Sequence, residues 1–78
     1  MEIREMESYL LKPAYRNSDV QALAGVSKNW ATRIMRKCRE MGGAIDGRPQ
    51  HITAESYWRY QGTTLDEQLR RVRLLKGE

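Results

Sequence analysis

The 78-residue chain has no phenylalanine, one cysteine, one histidine and two prolines. A lone cysteine excludes an internal disulfide, and one cysteine with one histidine cannot make a closed zinc site. Long apolar runs are missing, so no segment is expected to span a membrane, and no signal-peptide order of basic, apolar and small-residue regions is visible. Also absent are paired carboxylates, a nucleophile beside a base and a Gly-rich phosphate loop. This argues against an enzyme, a catalytic residue or a bound cofactor. A single reduced thiol fits a cytoplasmic protein. With no phenylalanine available, Tyr57 or Trp58 is the expected aromatic anchor of the core.

What the chain has is positive charge in one place. Fourteen Lys and Arg stand against ten Asp and Glu, a net charge of +4. Residues 17–51 hold six basic and three acidic side chains, whereas residues 1–16 hold three of each. A basic central segment is the electrostatic footprint of a nucleic-acid binder. The length allows one small compact domain, read as an N-terminal helix (1–14), a central unit (15–62) and a C-terminal amphipathic helix (63–78).

The central unit opens with two helices and a tight turn. Val20, Leu23 and Ala24 are spaced for one helical face, and Gly25 is suited to the left-handed conformation that ends a helix. Ser27 can cap a second helix from Lys28, and Ser18 with Gln21 matches a capping box opening the first. The spacing predicts a helix-turn-helix. Winding the second helix at about 100° per residue puts Trp30, Ile34, Cys38 and Met41 on an apolar face, with Ala31 at its edge. Lys28, Asn29, Thr32, Arg33 and Arg36 fall opposite, and Lys37 and Arg39 flank them as phosphate contacts. Arginine can pair with guanine, asparagine with adenine, and threonine with an acceptor or a thymine methyl. The expected partner is double-stranded DNA; the plain alternative is a solvated polar face.

Ahead of this unit, Ile3, Met6 and Leu10 suggest a short amphipathic helix closed by Pro13, or a frayed tail. Tyr15 could lie as a lid on the core. After Met41, two glycines end the second helix, and Ala44-Ile45, an Asp46-Gly47 turn and residues 48–52 predict a small β-hairpin wing. Arg48 would sit at its tip against a phosphate or minor groove, with His51 partly packed nearby. Thr53 caps a helix over Ala54–Tyr60, and Gly62 stops it. Thr64 with Glu67 opens a last helix whose Leu65, Leu69 and Val72 line one side. That stripe either docks on its own domain or forms a homodimer or cooperative-array surface.

The resulting fold class is mainly α with a small β-hairpin wing. Its pieces are SDVQALAGVS (18–27), KNWATRIMRKC (28–38), GAIDGRPQHIT (43–53) and the helix start Ile52-Thr53-Ala54-Glu55. Over residues 15–61 the chain resembles the winged helix-turn-helix of excisionases and MerR-type DNA-binding domains. It also resembles small basic proteins encoded beside integrases on phage and other mobile elements. In that family the second helix enters the major groove and the wing touches the adjacent backbone or minor groove, which the resemblance carries to Lys28, Asn29, Thr32, Arg33, Arg36 and Arg48. It implies a transcriptional regulator or an excisionase, the latter with an integrase as partner. The chain departs from the family in its preceding helix and its longer groove helix. The competing expectation is a phage protein-interaction module that engages a host protein through residues 65–75.

Overall fold

The computed structural model describes residues 2–77. It is mainly helical with a small two-stranded antiparallel sheet. In chain order it has α1 (Ile3–Leu10), β1 (Ala14–Tyr15), α2 (Asn17–Ala24), α3 (Lys28–Cys38), β2 (Ile52–Thr53), α4 (Ala54–Tyr60) and α5 (Leu65–Leu75). No described helix is long and apolar enough to cross a membrane.

The turn between α2 and α3 forms as its residues dictate. Gly25 takes φ 66° and ψ 38°, and its N–H donates to the carbonyl of Gln21. Ser27 Oγ accepts from the N–H of Trp30 at 3.3 Å, capping α3. The start of α2 differs from the expected Ser18–Gln21 box. The cap lies two residues earlier, at Arg16, and the Asp19 carboxylate accepts from the Arg16 N–H at 2.9 Å. Asp19 is the shorter, charged acceptor in reach of that N–H. Lys12 pairs with its other oxygen at 2.9 Å.

On α3 the buried side chains are Ala31, Ile34, Met35 and Cys38. Trp30 is 50 % exposed and Met41 38 % exposed, so the expected face is corrected by about one position. The buried quartet has the i, i+3, i+4, i+7 spacing of a helical stripe; the set with Trp30 and Met41 repeats at helical intervals too, and the elements packed on α3 select the first. Past Cys38 the helix loosens into a wider turn over Arg39–Gly43 and breaks at Gly42, where φ is 92°.

The expected wing is also corrected. The returning segment pairs with β1, in the register Ala14 with Thr53 and Tyr15 with Ile52. Only the single bridge between Ala44 and Ile52 remains of the hairpin. Residues 45–51 form a loop in which the Arg48 N–H donates to Ile45 O and the His51 N–H to Arg48 O, each at 3.1 Å. Pro49, lacking an N–H, cannot extend a ladder.

One core joins all three expected segments: Leu10 from α1, Tyr15, Val20, Ile34, Met35 and Ile52 from the centre, and Val72 from α5. Tyr15 is fully enclosed, going beyond a lid. Its ring meets Tyr57 edge-on at 5.6 Å, and Tyr57 meets Trp58 edge-on at 4.9 Å. Such pairs contribute about 0.5–1.5 kcal/mol each beyond their buried area. Thr53 and Thr64 cap α4 and α5, accepting from the N–H groups of Ser56 and Glu67. The stripe of α5 turns inward: Val72 is in the core and Leu65 and Leu69 pack against it. Of the two alternatives expected for this stripe, docking on its own domain describes Val72, which is enclosed, and Leu65 and Leu69, which are partly buried, with α5 lying against α1. Leu74 and Leu75 stay exposed.

Candidate nucleic-acid interface

Turning Ala31, Ile34, Met35 and Cys38 inward leaves Asn29, Thr32, Arg33, Arg36 and Lys37 on the solvent side of α3, with Lys28 at the edge nearest α2. All six are exposed. Three act as free donors: among the described residues, the side chains of Lys28, Asn29 and Arg36 make no hydrogen bond or ion pair. Arg33 lies over the ring of Trp30, 5.5 Å from its centroid. This contact leaves the guanidinium N–H groups unbonded and holds the arm close to the helix surface.

Thr32 is in a different position. Its hydroxyl donates to Lys28 O at 3.0 Å and accepts from Asn17 Nδ2 at 3.1 Å, so it joins α3 to the start of α2. Asn17 Nδ2 also donates to Lys28 O at 3.3 Å, and Asn17 Oδ1 accepts from Gln21 at 2.7 Å. Asn17 therefore fixes the two helices relative to one another. Lys37 pairs with Glu40 at 3.6 Å in the open, a contact that water and salt weaken.

Arg48 is exposed in the 45–51 loop, away from any strand. The loop is tied to α3 by Arg39, whose guanidinium donates to Pro49 O at 3.0 Å. His51 is half-buried, and its Nδ1 is enclosed without a partner among the described residues. Behind α3, burial pushes the Cys38 thiol up from its ordinary value, opposed by a hydrogen bond with Ser56. That favours an inert, protonated thiol. No group of three His, Cys, Asp or Glu among the described residues could hold a metal ion.

The structure adds Trp30, Arg16, Asn17 and Gln50 to the surroundings of this face and places the expected flanking Arg39 beside them. Arg16, Asn17, Arg39 and Gln50 line one cleft with Lys28 and Thr32. Trp30 was legible in principle, because an arginine three residues on can cover an exposed ring. Gln50 gave no sequence signal. No family model matches the chain, and neither a curated protein nor a solved structure does.

Proposed function

We propose that this protein binds double-stranded DNA in a sequence-specific manner, with α3 in the major groove and the 45–51 loop against the neighbouring backbone. The observation that carries the reading is the outer arc of α3. Asn29, Arg33 and Arg36 offer unbonded donors there, and the Gly25 turn, the Ser27 cap and the Asn17 bridge hold the helix in a helix-turn-helix frame. These residue types read base edges bidentately, while Lys28, Lys37 and Arg48 supply salt-sensitive phosphate attraction. The two-helix frame and the basic charge support a phage or mobile-element regulator, or an excisionase acting beside an integrase, while the 45–51 loop departs from that family's hairpin wing.

Selection of bound duplexes from a random pool tests this. Recovery of one motif, bound far more tightly than scrambled DNA and more weakly as salt rises, is the expected result; a pool without enrichment overturns it. Half-sites in inverted repeat would mark a dimeric regulator, and tandem single sites an excisionase array. A second reading, a protein-interaction module, draws on Leu74 and Leu75 at the end of α5, outside the inward-facing stripe, which are 71 % and 64 % exposed. It requires that salt-sensitive DNA binding be absent.

A further inference from the structure

On the flank of α3 that faces α2 lies an open cleft of about 430 Å³. Its walls include Arg16, Asn17, Lys28, Thr32, Arg39 and Gln50, drawn from the start of α2, one side of α3 and the loop. Three of these are cations, and no carboxylate lines the cleft among the described residues. Of the two acids next in sequence to lining residues, Asp19 is buried and occupied by Lys12 and the Arg16 N–H, and Glu40 lies outside the lining and pairs with Lys37. The Arg16 and Lys28 side chains have no hydrogen bond or ion pair among the described residues. Among the described residues, Arg39 bonds to the neutral Pro49 carbonyl alone.

Three like charges converging on a concave polar surface repel one another, and a cleft walled by protein focuses their field outward. An anion entering would relieve that repulsion and gain from all three. The spacing is also set in advance. Asn17 bridges to Lys28 O and Thr32, and Arg39 is held at the base of the loop, so little backbone freedom is lost on binding. Met35 supplies the one apolar side chain of the lining, which disfavours an apolar small molecule.

We infer that this cleft seats one phosphate of the DNA backbone, gripped by Arg16, Lys28 and Arg39. The inference rests on the DNA reading above and extends it. With the outer arc of α3 at the base edges, its flank meets the strand that borders the groove. The seat contributes affinity and register without sequence choice.

The test uses the full chain and a selected duplex, with affinity measured across a salt series for the wild type, Arg16→Gln, Lys28→Gln and Arg16→Lys. These side chains are exposed, and circular dichroism melts check that each variant is folded. Each Gln variant should weaken selected and scrambled duplexes by the same factor and flatten the slope of log K against log salt by about 1. Arg16→Lys should retain the wild-type slope. A scan of single neutral methylphosphonates along the duplex should then find a position that weakens the wild type but not the Arg16→Gln, Lys28→Gln double variant. Tight wild-type binding with unchanged slopes in both Gln variants, or no such position, overturns the seat and leaves the DNA reading standing. Absence of wild-type binding to any duplex overturns both.

Discussion

The indole N–H of Trp58 donates to the phenol oxygen of Tyr15 at 3.0 Å, and that phenol donates to the carbonyl of Tyr9 at 2.8 Å. Trp58 belongs to α4, Tyr15 to β1 and Tyr9 to α1, so one short chain of hydrogen bonds joins three elements inside the core. Tyr15→Phe leaves the buried indole donor unpaired. A loss of about 1–3 kcal/mol is expected in urea unfolding, and Trp58→Phe should lose less donor penalty but more packing. Wild-type stability in Tyr15→Phe would show that the bond contributes nothing.

The same burial makes the protein sensitive to alkali. Burial pushes the Tyr15 phenol from 10.0 up to about 12, opposed in part by the Trp58 hydrogen bond, and burial also raises Tyr57 and Cys38. A group whose folded pKa is raised keeps its proton in the native state after the unfolded chain has released it. Its stability contribution is therefore full below the unfolded value and is lost as pH rises through the folded one. Thermal melts should hold steady below about pH 9 and fall from there to about pH 12. A midpoint constant over that window would contradict the burial of these three groups.

Gly43 is enclosed. A Cβ placed there would stand 2.6 Å from Ser56 Cβ and 2.7 Å from Cys38 O, and closer still to Ser56 Oγ. Gly47 has φ 76° but open space around it. Gly43→Ala should therefore cost about 1–3 kcal/mol through overpacking, and Gly47→Ala about 1 kcal/mol through left-handed backbone strain. Denaturant curves measured side by side should show the buried site as the worse of the two; the reverse order would contradict the packing at Ser56.

If α3 reads DNA, Arg33→Ala and Arg36→Ala should each weaken the selected site by about 1–3 kcal/mol and relax the preference for one base pair. Titrations against the selected site and its single-base variants measure this. Unchanged affinity in both would remove α3 from the groove.

Trp30 provides an optical readout of the same event. It is half-exposed beside Arg33, while Trp58 is buried, so DNA on α3 should quench or shift the emission of Trp30 alone. In Trp30→Phe the DNA-dependent change should vanish. A change that persists there would place the contact elsewhere.

Much of this frame is legible in the sequence because it is local. Gly25, Ser27, Thr53 and Thr64 act on backbone groups within a few residues, and a reader needs only their spacing. The spacing places Trp30 inward because 30, 34 and 38 also repeat at helical intervals. The choice between that stripe and 31, 34, 35 and 38 is made by the elements packed on α3, and apolarity alone does not decide it. The expected hairpin gives way for a similar reason. The true partner of Ile52 is Tyr15, far away in the chain, and no local pattern distinguishes that pairing from a turn closed at Asp46-Gly47. On the outer face the residue types were legible, but Thr32's engagement with Asn17 depends on how α2 crosses α3.

The pairing of β1 with β2 closes the chain at the neck of the unit that holds α2, α3 and the loop. Backbone hydrogen bonds, indifferent to side-chain identity, fix where that unit begins and ends. The side chains at positions 29, 33 and 36 point away from everything that holds the neck shut. They can be rewritten one at a time without loosening the frame, so the surface chemistry of that arc can drift while the architecture stays fixed.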